Sequence, residues 1–174
     1  KASSQRRSEL LSIAHLKSPN HMTNPTTLII IFAGVEELEA VAPIDCLRRA
    51  GTCVTVAALS DKLHGEGRNG IKLCADKTLD SCLENDYDMV IIPGGPGHAL
   101  LMDDSRVLNL LNRQNSAGNW IASICAGPLV LEKAGLLNGK RFTSFPATAE
   151  KRPSRDAVQR VVRDGNIITS QGAG

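Results

Sequence analysis

Three places in this 174-residue sequence carry residue types that could do chemistry together. The first is Cys125, which ends the apolar run 120–124 and is followed at once by Ala126-Gly127-Pro128 and a helix-like run at 129–134. A nucleophile on such a strand-to-helix turn is pushed out of the sheet toward solvent. The free N–H groups and positive dipole end of the following helix favour thiolate over thiol. The sequence therefore predicts a reactive, acidified thiol, and none of the other four cysteines has this setting. The second place is Gly34-Val35-Glu36-Glu37-Leu38-Glu39. Glu36 and Glu37 suit the first turn of a helix, where the dipole favours carboxylates. Glu39 borders the apolar Ala40-Val41-Ala42, which carries it inward. A partly buried carboxyl keeps its proton, and could donate to a thiolate or move protons during attack on a carbonyl. The third place is Pro93-Gly94-Gly95-Pro96-Gly97. No Lys-Ser or Lys-Thr follows and the GxGxxG spacing is missing, which speaks against a phosphate loop. Glycines let the N–H groups of Gly94 and Gly95 approach a developing negative charge, with the Ala126 N–H as partner, and that describes an oxyanion site. They equally permit a tight turn with positive φ.

The elements that must position these residues follow from periodicity. Strands are expected at 27–32, 53–59, 88–92 and 120–124, and helices at 36–50, 100–116 and 129–134. Asn69-Gly70 marks a hairpin over 65–74, and Asp164-Gly165 marks a second between 160–162 and 167–170. Buried strands alternating with helices predict an α/β fold whose mostly parallel sheet is covered on both faces. Working groups then gather at the carboxyl ends of the strands, which brings all three loops to one edge.

Composition sets bounds around this picture. The length suits one domain with a proper core. A net charge of +2 with scattered basic residues gives no nucleic-acid footprint, and five aromatic residues offer no base-stacking platform. The apolar runs are too short for a membrane span. Five cysteines without a CxxC pair or ligand-like histidine spacing predict a reducing compartment, with neither a structural metal nor a disulfide framework. Residues 1–25 are rich in Ser and Arg with Glu9 as their one acid, and read as a leader or tag-like tail ahead of a domain at 26–174. The expected location is cytoplasmic, or mitochondrial or plastid if that segment is a transit peptide.

Glu-Glu-x-Glu-x-Val-x-Pro-x-Asp at 36–45, Asp-x-Val-x-x-Pro-Gly-Gly at 88–95 and Ile-Cys-Ala-Gly-Pro at 124–128 together resemble the ThiJ/PfpI superfamily. They look most like its parkinsonism-associated protein deglycase, or glyoxalase III-like, branch. Ala-Gly-x-x-Val-Thr-Val-Ala at 50–57 and Thr-Ser-Gln-Gly at 169–172 extend the likeness in colinear order. The resemblance implies a flavodoxin-like three-layer sandwich of the class I glutamine amidotransferase type. It implies Cys125 as an oxidisable nucleophile, Glu39 as its protonated partner, and Gly94, Gly95 and Ala126 as backbone lining of the pocket. The implied activity is a deglycase or glutathione-independent glyoxalase taking small reactive aldehydes or glycated amines, with no cofactor or metal, in a homodimer. The alternative is a non-enzymatic redox sensor and chaperone acting through oxidation of Cys125. Cys74 matches a cysteine near the family's dimer interface, though its own sequence setting reads as a half-buried strand position.

Departures from the family pattern narrow the chemistry. Some branch members carry a histidine after the strand near position 142, where this chain reads Ser144-Phe145-Pro146. The protease-like branch has histidine directly after its cysteine, and here that residue is Ala126. The His-x-Glu of glutamine amidotransferases is absent, and His15, His21, His64 and His98 read as surface or loop residues. The family continues past Thr-Ser-Gln-Gly with a long helix, so a domain ending at Gly174 is expected to lack that C-terminal helix and to leave an apolar sheet face uncovered.

Overall fold

A computed structural model describes residues 24–148 and 155–173, so the reading of the leader falls almost wholly outside the described residues. In chain order the elements are β1 (Thr26–Ile31), α1 (Glu37–Arg49), β2 (Cys53–Ala58), β3 (His64–Glu66), β4 (Lys72–Cys74) and β5 (Lys77–Thr78). They continue with β6 (Met89–Ile92), α2 (His98–Met102), α3 (Ser105–Ser116), β7 (Trp120–Ile124), α4 (Pro128–Lys133), β8 (Val161–Asp164) and β9 (Ile167–Ser170). Short apolar runs rich in β-branched residues make the sheet centre, as expected of strands buried on both faces. Leu28, Ile29 and Ile30 of β1 and Val90 and Ile92 of β6 are wholly buried.

Seven strands form one sheet in the order β5-β2-β1-β6-β7-β9-β8, and β3 with β4 forms a separate hairpin. All neighbours in the large sheet are parallel except β8 with β9. This is the expected α/β flavodoxin-like architecture. From β1 the chain builds outward through β2 in one direction and through β6 and β7 in the other. The order therefore reverses between β1 and β6, the place where open α/β sheets form a crevice at their carboxyl edge. On one face, α1 and the strand residues Ile91, Ala122, Ile124 and Ile168 line an apolar groove of about 430 Å³. Among the described residues no helix is long and apolar enough to cross a membrane.

The boundaries differ from the sequence reading in three places. The helix expected over 100–116 is two helices, because the Asp104 side chain caps α3 by accepting the Arg106 N–H at 2.9 Å. The Arg106 guanidinium returns to Asp104 at 2.6 Å and reaches Asp80 at 2.8 Å, which holds the Asp104 carboxyl below its ordinary pKa. The strand expected at 160–162 lies at Val161–Asp164, paired with β9 across the predicted Asp164-Gly165 turn. The two-residue strand β5 and the 3-10 turns Asp80–Cys82 and Pro146–Thr148 carry too little periodicity to be foreseen.

The loops after β1 and β6 are stitched together. Glu36 N–H donates to the Gly94 carbonyl at 2.9 Å and Gly97 N–H to the Gly34 carbonyl at 3.3 Å. A Cβ on Gly97 would sit against the backbone carbonyl of Ala33, an atom that cannot swing aside. Gly97→Ala should therefore cost about 3 kcal/mol or more in urea unfolding, the upper end of overpacking losses. Gly118→Ala is the control, since nothing lies within 4 Å of its Cβ and only its φ of +73° opposes the change. That strain alone is worth about 1–2 kcal/mol. Equal losses in the two variants would refute the packing account.

Candidate active site

Cys125 has φ of 61°, the one positive value at a non-glycine residue among those described. The turn is held from both sides. Cys125 N–H donates to the Ser170 carbonyl at 3.0 Å, and Phe145 N–H donates to the Cys125 carbonyl at 2.9 Å. Gly127 completes it, because a Cβ there would lie 2.5 Å from the Ile92 carbonyl oxygen and 2.5 Å from Ser123 Oγ. A left-handed residue costs free energy that the surrounding bonds must offset, and its reward is a half-buried thiol aimed into the crevice between β1 and β6.

Glu39 comes inward from the first turn of α1 and is 4% exposed. Its Oε2 accepts the Gly94 N–H at 2.9 Å, and its Oε1 accepts the Ala173 N–H at 3.3 Å. The carboxyl is also hydrogen-bonded to the Cys125 sulfur, and the N–H groups of Ala126 and Gly95 reach that sulfur as well. The five expected residues thus converge, with one reassignment. The Gly94 N–H serves Glu39, and Gly94 lies behind the pocket wall while Gly95 and Ala126 face the cavity. A Cβ on Gly94 would stand 2.6 Å from both Cys125 Cβ and Glu39 Oε2, so only glycine lets the carboxyl and the thiol meet.

The electrostatics correct the expectation of an acidified thiol. Burial pushes Cys125 up, and the Glu39 carboxylate adds to this through its charge and hydrogen bond, to about 11. The N–H groups of Ala126 and Gly95 oppose the rise without cancelling it. The helix that should have lowered the pKa is only the six residues of α4, too short for a full dipole effect. Burial likewise raises Glu39, against the bonds from Cys125, Gly94 and Ala173. The two groups therefore titrate as a pair. A proton kept on Glu39 removes the repelling charge and supplies a donor, so the thiolate is favoured only while the carboxyl stays protonated.

The cavity above the sulfur measures about 370 Å³. Around its mouth stand Phe145, His98, Pro96 and the Arg68–Glu36 ion pair, closed at 3.2 Å. Phe145 lies at the pocket wall. His98, read from sequence as a surface residue, is at the rim, and its Nδ1–H donates to the Gly95 carbonyl at 3.0 Å. Cys74 is exposed rather than half-buried. Among the described residues no group of acidic, histidine or cysteine side chains is arranged to hold a metal ion.

Glu37 does more than favour a helix start. It is 4% exposed and accepts the Asn69 N–H at 2.7 Å, Asn69 Nδ2 at 2.8 Å and the Ile71 N–H at 3.4 Å. This carboxylate fastens the β3–β4 hairpin to α1, and Arg68 N–H bonds to the Val35 carbonyl at 2.9 Å beside it. Arg68 reaches the pocket through that attachment. Burial pushes the Glu37 carboxyl up, but the bonds from its own N–H, Asn69 and Ile71 together hold it below the ordinary glutamate value. A depressed pKa means stabilisation present above that ordinary value and lost as pH falls through the folded one. Glu37→Gln should speed hydrogen exchange at the Asn69 and Ile71 amides roughly tenfold, as should acidification of the wild type after correction for intrinsic rates. Wild-type protection in the variant would show that the hairpin is held elsewhere.

Comparison with known proteins gives consistent relatives. The profile of the DJ-1/PfpI family matches residues 25–174. Protein DJ-1 homolog B of Arabidopsis thaliana is 43% identical over 153 residues, covering 86% of this chain and 35% of its own length. The chain thus spans about a third of that plant protein, and 39% of its homolog A. The crystal structure of Drosophila melanogaster DJ-1beta superposes with a TM-score of 0.83 at 37% identity, covering 86% of this chain and 83% of that one. Oxidized Toxoplasma gondii DJ-1 gives 0.81 at 34% identity, with 85% and 82% covered.

Proposed function

Because this chain belongs to the DJ-1/PfpI family, we propose that it is a cysteine-dependent deglycase and glutathione-independent glyoxalase acting on methylglyoxal or early glycation adducts. The observation that carries this reading is the Cys125 sulfur set between the Glu39 carboxyl and the N–H groups of Gly95 and Ala126. With the proton on Glu39, Cys125 Sγ attacks the aldehyde carbon and a C–S bond forms. The carbonyl electron pair moves onto oxygen, which Gly95 and Ala126 N–H groups stabilise and the Glu39 proton neutralises, giving a hemithioacetal. The Glu39 carboxylate then takes the C1 proton, and the resulting enediol is reprotonated at C2 to leave a thioester. Water cleaves the thioester and frees lactate and the thiol. One methylglyoxal and one water give one lactic acid, with no external oxidant or reductant. An early adduct (a hemiaminal) enters the same sequence when Cys125 Sγ forms the C–S bond, the C–N bond breaks and the amine departs with the Glu39 proton.

Incubating the protein with methylglyoxal should yield lactate, read by NMR, and its absence would overturn this reading. Oxidation sensing is the second reading, favoured because the same N–H groups and acid that hold a thiolate would hold a sulfinate. A gain of two oxygens on Cys125 under mild peroxide, in protein that makes no lactate, would establish it.

A further inference from the structure

A second cavity, of about 300 Å³, opens at the carboxyl ends of β1 and β2. Its floor is apolar core: Ile31, Phe32 and Val35 are 4%, 5% and 1% exposed. Leu73 of β4 and Leu100 of α2 form its sides, and no acidic residue lines it. Lys62 and His64 stand at the rim. Lys62 has no ion pair among the described residues. The loop that carries it is fixed, since Ser60 Oγ donates to the Lys62 carbonyl at 3.1 Å and accepts the Lys62 N–H at 3.3 Å. Leu63 is tied down in turn, its carbonyl accepting the Ala75 N–H at 2.6 Å.

We propose that this cavity is a binding site for a small amphiphilic carboxylate, with its hydrocarbon chain on the Ile31–Phe32–Val35 floor and its head group between Lys62 and His64. Protein interiors are close-packed, so an open apolar hollow in the core is a cost that a hydrocarbon occupant relieves. Two basic side chains at the rim of a lining without acidic residues select an anion over a neutral or cationic head. The volume lies at the small end of ligand pockets, which suits one medium-length chain. Val35 belongs to both neighbourhoods, because it lines this cavity while its carbonyl holds the N–H of Arg68, a residue of the cysteine pocket. The site needs nothing from Cys125, and its failure would leave the proposed catalysis untouched.

Titration of sodium octanoate into the full chain, followed by methyl NMR, tests this. Saturable shifts are expected at Ile31, Val35, Leu73 and Leu100, unchanged in Cys125→Ser. The surface double variant Lys62→Glu/His64→Glu should weaken binding about tenfold or more, and 1-octanol should bind correspondingly less well than octanoate. Leu73→Trp, which fills the cavity, should abolish the shifts. Absence of saturable shifts at millimolar octanoate, or shifts confined to the Ala126 and Ala173 methyls of the cysteine pocket, would overturn the proposal. Equal affinity for octanoate in the charge-reversed variant, or for octanol in the wild type, would overturn the head-group assignment.

Discussion

Cys125→Ser is expected to lower lactate formation from methylglyoxal by about a thousandfold or more, with a melting temperature close to that of the wild type. The hydroxyl occupies less space than the thiol and still accepts from the N–H groups of Gly95 and Ala126, so the fold is not challenged. It cannot ionise in this setting, because burial and the neighbouring carboxyl already push even the thiol to about 11. No other thiol can stand in. Cys46, Cys53 and Cys74 are exposed away from the pocket, and Cys82 is buried in the core. A serine variant within tenfold of the wild-type rate would remove Cys125 from the reaction.

Glu39→Gln should move two measurements in opposite directions. The amide keeps the shape of the side chain and an acceptor for the Gly94 N–H, but carries neither charge nor a transferable proton. Loss of the carboxylate removes two of the influences that raise the Cys125 pKa, leaving burial alone. Alkylation of Cys125 at pH 8 should therefore quicken by about tenfold or more, the effect of a one-unit fall in thiol pKa. Turnover should fall by about a hundredfold to ten-thousandfold, the usual contribution of a positioned acid–base group. A residue that merely held the loop in place would depress both. Stability supplies a third readout. Glu39 has a raised folded-state pKa, so its contribution is fully present below the ordinary glutamate value and lost as pH rises through the folded one. The glutamine variant should accordingly melt higher than the wild type at pH 8 and alike near pH 3, within about the uncertainty of a surface substitution. Unaltered alkylation together with unaltered turnover would sink the proton-sharing pair.

Much of the site is legible in the sequence because Glu39, Gly94, Gly95, Cys125 and Ala126 each follow a central strand, and parallel sheets deliver such positions to one edge. Legibility stops where position depends on contacts far along the chain. Arg68 arrives because Glu37 grips the Asn69 turn, across 32 residues, and because Val35 and Gly34 bond to the Arg68 and Glu66 backbone, contacts with no local signature. Ala173 reaches Glu39 across a separation of 134 residues. The thiol's acidity is misread for a related reason. Sequence displays the helix start after Cys125 and even the shortness of α4, but not the burial and the neighbouring carboxylate that outweigh them. The split between α2 and α3 was written in Asp104-Ser105, a cap obscured by apolar spacing that suits one long helix equally well.

The parallel pairing of β1, β6, β7 and β9 also governs when the site comes into being. Parallel neighbours cannot meet through a tight turn, so each joining closes a long loop, and such topologies fold slowly. Among the strand pairings, only the β3–β4 and β8–β9 hairpins can form from local contacts. Cys125 acquires its setting only once β7 and β9 have paired and Ser170 receives its N–H. Pulsed alkylation of Cys125 during refolding would read the completion of the sheet directly, making this one sulfur a clock for the fold that created it.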